Sequence, residues 1–310
     1  MTTPEISVIV PTYNRRAMVR EAIASVLAQR GASFELIVVD DGSTDGTWED
    51  LARRAGCGDS TLRAIRTANR GPAAARNCGL ALARGRLIAF LDSDDLWAPD
   101  KLARQSAFMR ANPHLAISQT AELWLRNGQR VNPGRRHLKR PGYFFADALR
   151  TCLISPSAVI VKRALLDEAG GFDEAMAACE DYDLWLRILA RHPVGLLDEP
   201  LVTRRAGHPG QLSATIPALD RFRILALAKL LGDGTLDAER RAAAAEVMEE
   251  KCAIYAHGLA CRGRAADAAF FIAAGRAAVE RWRRAPDAEL GRAIARMRAT
   301  LTVSRGAGVP

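Results

Sequence analysis

Three aspartates follow directly on an apolar segment near residue 90, and their spacing indicates metal chemistry. The segment Arg86–Leu91 is an almost continuous apolar run, typical of a buried strand, and Asp92-Ser93-Asp94-Asp95 comes next. Clustered carboxylates repel one another, and each needs a partner where water is excluded. A divalent cation such as Mg²⁺ meets both needs, because it binds through one or two carboxylates plus substrate phosphates. The alternative is a solvated loop whose aspartates cap the next helix.

A second acidic pair, Glu180-Asp181, opens the amphipathic segment Tyr182–Leu189. A carboxylate can act as a general base when it lies within hydrogen-bond reach of a hydroxyl group. Acids at the start of a helix also stabilise the helix dipole without any catalytic role. Taken alone, the pair leaves both interpretations open.

The elements that position the first acidic cluster alternate between predicted strands and helices. The predicted strands are Ile6–Val10, Phe34–Val39, Leu62–Ile65 and Arg86–Leu91, and the predicted helices are Arg15–Gln29, Thr47–Ala55 and Ala73–Ala83. Asn14 is the expected N-cap of the first helix, and Thr44 or Asp45 that of the second. Repeated units of this kind predict a parallel sheet with helices on both faces.

Ligands of such sheets bind beyond the carboxyl ends of the strands. Three predicted strands end in polar loops, namely Thr12–Asn14, Asp40-Asp41 and Asp92–Asp95. We therefore expect these loops to converge on one site. Residues i and i+2 of an extended segment point to the same side, so Asp92 and Asp94 can address one cation.

The remainder of the chain divides into an irregular middle and a helical end. Ala116–Thr120 and Ser157–Val161 are predicted strands, and Glu180–Ala190 is a predicted short helix. From Pro217 onward the sequence is helical, rich in alanine and rich in arginine. The predicted domains are therefore a catalytic domain, 1–215, and a helical basic extension, 216–310.

Composition sets bounds on the class of protein. The chain has 310 residues, of which 49% are hydrophobic and 25% charged, as in ordinary globular proteins. It has neither an apolar run of about 18 residues, as a membrane-spanning helix needs, nor an N-terminal secretory signal pattern. The six cysteines form no CxxC pair and are expected to be reduced thiols, mostly buried, in a cytoplasmic protein.

The net charge of +9 is concentrated at the end of the chain, where residues 262–310 contain ten arginines and four acids. Such a segment can face nucleic acid, an anionic membrane surface or only water. From Arg276 onward, Trp282 is the one aromatic residue among the arginines, which argues against nucleic acid as a partner. Apolar positions such as Phe270, Phe271, Ile272 and Val279 suggest membrane association or packing against the catalytic domain or a second subunit, as in a homodimer.

Five segments in order resemble the motif series of family 2 inverting glycosyltransferases with the GT-A fold. The segments are Val8–Asn14, Val38–Asp45, Asn69–Asn77, Phe90–Asp95 and Glu180–Trp185, and the resemblance covers roughly residues 5–215. It implies an α/β protein with a Rossmann-like, mostly parallel sheet flanked by helices, followed here by the α-helical C-terminal extension. It also implies a nucleoside-diphosphate sugar as donor, with UDP, dTDP or GDP as the nucleotide.

Residue by residue, the resemblance assigns the donor site. The donor-binding residues implied are Pro11, Thr12, Tyr13, Asn14, Asp40, Arg76, Asp92 and Ser93. Asp40 is the expected contact of the nucleotide base, and Arg76 that of the phosphates or base. For Tyr13 the alternative is packing in the core, and for Arg76 it is a surface arginine on an alanine-rich helix.

The resemblance also assigns the reacting groups. Asp94 is the implied direct ligand of Mg²⁺ or Mn²⁺, Asp92 lies nearer the ribose, and Asp95 supports them. His208 comes from a segment, Arg204–Ser213, that resembles the closing motif of the family, and it is a further candidate ligand. Asp181 is the implied general base, with Glu180 beside it to raise its pKa or to bind acceptor hydroxyls.

Two alternatives to a glycosyltransferase are considered. A nucleotidyltransferase acting on sugar phosphates would need a glycine-rich phosphate loop after the first strand, and Pro11–Arg16 contains no glycine. A basic protein that binds nucleic acid or membranes is suggested only by the tail. The leading expectation is transfer to a glycan or lipid-linked acceptor in polysaccharide or glycolipid synthesis, in the cytoplasm or at the inner face of the plasma membrane.

Overall fold

The computed structural model describes residues 3–56, 61–208, 210–211 and 215–282. These residues form two compact units. The first unit contains the described residues up to Phe144 and from Cys152 to Gln211. The second contains Phe145–Thr151 and the described residues from 215 onward.

Nine strands, all in the first unit, form one sheet among the described residues. In chain order they are β1 Ile6–Thr12, β2 Phe34–Asp40, β3 Leu62–Arg66, β4 Leu87–Phe90, β5 Leu96–Trp97, β6 Ile117–Arg126, β7 Gln129–Val131, β8 Val159–Lys162 and β9 Val194–Ala206. Their order across the sheet is β3-β2-β1-β4-β8-β6-β9-β5, with β7 paired to β6.

The parallel part of the sheet is built by the first four strands. β1 pairs in parallel with both β2 and β4, and β2 with β3. The side chains of β1 and β4 are fully buried, because helices cover both faces of a parallel sheet. The predicted α/β sheet flanked by helices is therefore confirmed.

Antiparallel pairing enters through β8, which lies between β4 and β6 and runs opposite to both. β5 is antiparallel to β9, whereas β6 and β9 are parallel. Of the eight pairings among the described strands, four are therefore parallel. The antiparallel strand brings the loop before it to the carboxyl end of β4, where the acidic cluster lies.

Six α-helices of the described residues belong to the first unit. They are α1 Arg16–Leu27, α2 Thr47–Ala55, α3 Pro72–Leu82, α4 Lys101–Ala111, α6 Arg163–Ala169 and α7 Glu180–Leu189. On α1 the residues Val19, Ala22, Ile23 and Val26 are buried, as the period of the sequence predicts. The core that they join includes Val8, Val10, Leu36 and Val38 from the central strands.

Both predicted helix caps are wrong. The N-cap of α1 is Arg15, and Asn14 instead adopts a positive φ of 48° and accepts a hydrogen bond from the Thr44 amide at 2.8 Å. The N-cap of α2 is Gly46, with a φ of 84°. Asp45 still accepts a bond from the Thr47 amide at 3.1 Å. The two loops that these residues occupy are thereby joined to each other.

The second unit consists of α5 Phe145–Arg150, α8 Asp220–Gly232, α9 Ala238–Ala260 and α10 Ala265–Trp282. Phe271 of α10 is 1% exposed and packs edge-to-face on Tyr255 of α9, with ring centroids 4.8 Å apart. One apolar position proposed to face a membrane is thus used for packing inside this unit. The arginines from Arg283 onward lie outside the described residues.

No described helix combines the length and the apolar character needed to cross a membrane. The cysteine prediction is wrong in one respect. Of the five cysteines in the described ranges, all free, only Cys252 is buried, and Cys57 lies outside those ranges. Cys78, Cys152 and Cys179 are half-buried and Cys261 is exposed.

Gly85 is pressed against the backbone of β1 and should not tolerate a side chain. A Cβ atom there would lie 2.6 Å from the Ser7 nitrogen and 2.8 Å from the Ile6 carbonyl carbon. We expect Gly85→Ala to lower the free energy of unfolding by about 1–3 kcal/mol, because backbone must move to relieve the overlap. The measurement is urea denaturation followed by circular dichroism.

Gly134→Ala is the matched control, because nothing lies within 4 Å of its added Cβ and its φ is −60°. It should change the free energy by no more than about 0.5 kcal/mol. Equal effects of the two substitutions would contradict the close approach of Gly85 to β1.

Candidate functional site

The carboxyl ends of β1, β2 and β4 bring three polar loops to one edge of the sheet. Thr12 lies opposite Asp40 in the register of β1 and β2, and the Asp41 amide donates to the Thr12 carbonyl at 2.9 Å. The Leu91 amide donates to the Ile9 carbonyl at 3.0 Å, so β4 reaches the same edge. The loops that follow these strands therefore border a common region.

Asp95 anchors the acidic loop, Asp92–Asp95, to the turn before β8 and to β9. Its carboxyl group is buried and accepts hydrogen bonds from the Ser157 hydroxyl at 2.6 Å and from the Arg205 amide at 3.0 Å. The same hydroxyl accepts a bond from the Asp92 amide at 3.1 Å. Burial raises the pKa of Asp95 well above its usual value, and the charges of Asp94 and Asp92 add to this effect. Asp95 therefore positions the loop rather than facing a ligand.

Asp94 has an arginine and a histidine as side-chain partners. Its Oδ2 atom lies 2.7 Å from Nη1 of Arg15 and 2.9 Å from Nε2 of His208. The Arg205 guanidinium donates to its backbone carbonyl. Of the predicted metal ligands, Asp94 and His208 are thus brought together.

Arg76 bridges two predicted site residues that are far apart in sequence. Its guanidinium donates to Asp92 Oδ1 at 2.7 Å and to Glu180 Oε1 at 2.6 Å. The Arg76 side chain is only 6% exposed and lies over the Phe172 ring at 5.3 Å, so the surface-arginine alternative is wrong. Burial raises the pKa of Glu180, and the charge of Arg76 opposes this effect. The acidic loop and the start of α7 are therefore joined through one buried cation.

Asp181 is half-buried at the start of α7, and its described hydrogen-bond partners are not those of this bridge. Its Oδ1 atom accepts a bond from the Tyr182 amide at 2.7 Å, and its Oδ2 atom lies 3.5 Å from the Cys152 thiol. Burial raises the pKa of Cys152 well above its usual value, and the charge of Asp181 adds to it, so the thiol stays protonated. The Asp181 carboxyl group thus has a neutral donor beside it and no arginine among its described hydrogen-bond partners.

The predicted nucleotide-binding loops are in contact. Asp40 is fully buried, and its carboxylate lies 3.3 Å from the Ser43 amide and 3.5 Å from Nε of Arg66. The Asn14 amide donates to the Ser43 hydroxyl at 2.9 Å, which connects the first loop with the second. Tyr13 is 45% exposed, so core packing does not explain it.

The remaining predicted donor residues lie at the same edge. Pro11 and Thr12 are buried at the end of β1, and Ser93 is 3% exposed within the acidic loop. The Ser93 hydroxyl lies 3.5 Å from Nη1 of Arg15. The first loop and the acidic loop therefore meet at these side chains.

Four residues of the site were not selected from the sequence, namely Arg15, Cys152, Ser157 and Arg204. Arg204 lies over the Trp124 ring at 4.8 Å. Burial disfavours the charge of Arg204, but Glu122, Asp95 and Asp92 together hold its pKa above the usual value. Arg204 could have been selected from the sequence, because the pair Arg204-Arg205 lies close to the candidate ligand His208. Cys152 and Ser157 gave no such signal, because their partners are 29 and 62 positions away.

The site fits a divalent cation only when a substrate supplies further ligands. Asp94 and His208 converge, whereas Asp92 turns toward Arg76, and no group of three acidic, histidine or cysteine ligands occurs in the described ranges. Mg²⁺ commonly binds through one or two protein ligands plus substrate phosphates. Two convergent protein ligands are compatible with that mode of binding.

Comparison with known sequences gives a family match. The sequence model described as glycosyl transferase family 2 matches residues 7–170. An uncharacterised glycosyltransferase of Rickettsia felis is 36% identical over 205 residues, which are 64% of this chain and 32% of that protein. The chain thus spans about a third of the length of that relative.

A second relative is described as a UDP-Glc:alpha-D-GlcNAc-diphosphoundecaprenol beta-1,3-glucosyltransferase of Escherichia coli. It is 31% identical over 215 residues, which are 67% of this chain and 80% of that protein. Among solved structures, residues 1–349 of S. aureus TarS in complex with UDP match with a TM-score of 0.65 and 21% identity. That match covers 98% of this chain and 92% of the TarS chain. It confirms the predicted GT-A fold.

Removing the Arg76 side chain should destabilise the protein far more than removing an exposed arginine. Removing one partner of a buried ion pair typically costs about 3–5 kcal/mol, because the remaining charges stay buried without compensation. We therefore expect Arg76→Met, which keeps most of the aliphatic volume, to lower the free energy of unfolding by about that amount. Urea denaturation provides the measurement.

Arg70→Met is the control, because Arg70 is 66% exposed and pairs with Glu174 at 2.6 Å. Exposed pairs contribute about 0–1 kcal/mol, so this variant should stay close to the original protein. A similar loss of unfolding free energy in both variants would show that Arg76 does not compensate buried charge.

Proposed function

Because the chain belongs to glycosyl transferase family 2, we propose that it transfers a sugar from a nucleoside-diphosphate donor to an acceptor hydroxyl with inversion at the anomeric carbon. The family resemblance stated from five motifs is confirmed by the match to residues 7–170. The observation that most supports the proposed activity is the Arg76 bridge, which links Asp92 of the acidic loop to Glu180, the neighbour of Asp181. Donor-binding and base candidates thus belong to one connected site.

In this proposal the three polar loops bind the donor. Tyr13 offers an exposed aromatic face to the base, and Asp40 lies buried behind the same loops. We take UDP as the nucleotide, because the TarS structure of the same fold was solved with UDP. The alternatives dTDP and GDP enter the test below.

Asp181 is the proposed general base. It removes the proton from the acceptor hydroxyl while the oxygen attacks the anomeric carbon and the bond to the diphosphate breaks on the opposite face. The electron pair of the broken bond leaves with the diphosphate, and the proton remains on the Asp181 carboxyl until water accepts it. Glu180 is buried and turned to Arg76, so it cannot serve as the base without breaking that pair.

Asp94 and His208 are the proposed holders of Mg²⁺ or Mn²⁺. Such an ion, when bound, stabilises the negative charge that develops on the leaving diphosphate. Asp92 is held by Arg76 and is proposed to orient the donor rather than to bind the ion directly.

The acceptor is proposed to be a glycan or a lipid-linked saccharide, as in polysaccharide or glycolipid synthesis. The Escherichia coli relative is named for a diphosphoundecaprenol-linked acceptor. Membrane association and a homodimer stay predictions, since the arginines from Arg283 onward lie outside the described residues. The family assignment favours this function over a nucleotidyltransferase or a basic nucleic-acid-binding protein.

UDP should stabilise the protein more than UMP, and Mn²⁺ should increase the difference. Saturating ligand stabilises a folded protein by about 2.7 kcal/mol at 100 times its dissociation constant, so we expect the melting temperature to rise by at least about 3 °C. Differential scanning fluorimetry with UDP, dTDP, GDP and UMP, with and without Mn²⁺, provides the measurement. The absence of a shift with any nucleoside diphosphate would refute the proposed donor class.

In Asp94→Asn, the additional rise in melting temperature that Mn²⁺ gives with UDP should disappear. The rise that UDP gives without metal should persist. An unchanged dependence on Mn²⁺ would remove Asp94 from the proposed ligands.

Asp181→Asn should leave the UDP shift intact and reduce turnover by about 10²–10⁴-fold, the usual contribution of a general base. The assay follows release of UDP from UDP-glucose and UDP-N-acetylglucosamine, with and without an acetylglucosaminyl diphosphate lipid. Asp167→Asn, at an exposed position of α6, is the control and should retain full turnover. Turnover retained by Asp181→Asn would exclude Asp181 as the base.

A further inference from the structure

The Asp94 carboxylate already has a cation at the position where a metal would bind. Nη1 of Arg15 lies 2.7 Å from Oδ2 of Asp94, and both side chains are largely shielded, with 19% and 13% of their surfaces exposed. His208 contacts the same oxygen at 2.9 Å. Of these two partners, the imidazole can also coordinate a metal, whereas a guanidinium cannot.

Arg15 directly follows the first polar loop, Thr12–Asn14, and this position brings it next to Asp94. Arg15 is the N-cap of α1, and its side chain extends across the sheet edge to the acidic loop. Nη2 donates to the Gly210 carbonyl at 2.9 Å, and Nη1 lies 3.5 Å from the Ser93 hydroxyl. These contacts fix the guanidinium against Asp94.

Arg16, the next residue, points to a different carboxylate. Its guanidinium binds Asp50 of α2 in a bidentate manner, at 2.7 and 3.0 Å. Two adjacent arginines therefore have the same chemistry but different partners, and only the first contacts the acidic loop.

Arg15 and a divalent cation compete for Asp94. A Mg²⁺ ion would lie about 2.0–2.1 Å from a ligating oxygen, and a guanidinium that remains 2.7 Å from the same oxygen would repel it. A free ion must therefore displace Arg15 and leave it without its carboxylate. A metal bound to a diphosphate differs, because its phosphate oxygens give the released guanidinium a bidentate partner.

We propose that Arg15 is an internal counterion that suppresses the binding of free divalent metal at Asp94 and yields this position to a metal–nucleoside diphosphate complex. This inference rests on the proposed function of the site. It makes metal and donor enter together. Arg15 is accordingly a positioning residue that acts through Asp94 and the diphosphate.

The test is a titration with Mn²⁺ followed by electron paramagnetic resonance, which measures free Mn²⁺ without any turnover. Arg15→Gln should bind Mn²⁺ at least about tenfold more tightly than the original protein in the absence of nucleotide. One nearby charge has an effect of that size or larger on the equilibria of a partly buried carboxylate. Arg16→Gln should match the original protein, and Arg15→Lys, which keeps the charge, should lie close to it.

A second titration in the presence of UDP completes the test. The tighter binding of Mn²⁺ by Arg15→Gln should then shrink or reverse, because the variant has no guanidinium to pair with the diphosphate. The inference is overturned if Arg15→Gln binds free Mn²⁺ no more tightly than Arg16→Gln, including the case in which neither binds it. A UDP shift in the melting temperature that persists in that case would leave the proposed donor site standing, whereas its absence would refute both.

Discussion

The site depends on the two ion pairs of the buried Arg76 guanidinium. It joins Asp92, 16 positions away in the chain, to Glu180, 104 positions away. Burying the charges of Arg76 and Glu180 is costly, and such groups are weak sources of net stability compared with apolar packing. What the bridge provides is a fixed relation between the acidic loop and the start of α7. Without these two contacts, Arg76 would not hold the acidic loop at a fixed distance from the start of α7, where Asp181 lies.

Each aspartate of the acidic loop has polar protein partners before any ligand arrives. Asp94 has Arg15 and His208, Asp92 has Arg76, and Asp95 has a hydroxyl and an amide. A diphosphate adds negative charge, so the cations paired with Asp92 and Asp94 are the groups available to compensate it. Under the proposed function, the arginines exchange their carboxylate partners for the diphosphate of the donor.

Sequence reasoning located the parts of this site that depend on local pattern. The acidic loop was predictable because Leu87–Phe90 is an apolar strand that must be buried and Asp92 follows at its carboxyl end. The role of Asn14 was not, because a positive φ of 48° turns its side chain away from α1 and toward Thr44. A local rule for helix caps cannot include a partner from another loop.

Local sequence patterns also could not predict the roles of residues whose partners lie far away in the chain. Ser157 comes from the turn before β8, and its place under Asp95 follows only from the insertion of β8 between β4 and β6. Arg15 reads in sequence as the start of a helix, and nothing local distinguishes it from Arg16. The sheet order decides which of the two meets an acid of the site.

The contacts of the acidic loop differ between Asp95 and Asp94. Asp95 is held from two strands, by the hydroxyl of Ser157 next to β8 and by the amide of Arg205 in β9, and both donors are buried or half-buried. Asp94 is held only through side chains in the contacts described, and those side chains can rotate away at the cost of ion pairs that phosphate can replace. A loop with a rigid backbone and replaceable side-chain partners can accept a charged ligand without changing its path. Under the proposed function, these different contacts give the three aspartates three different roles.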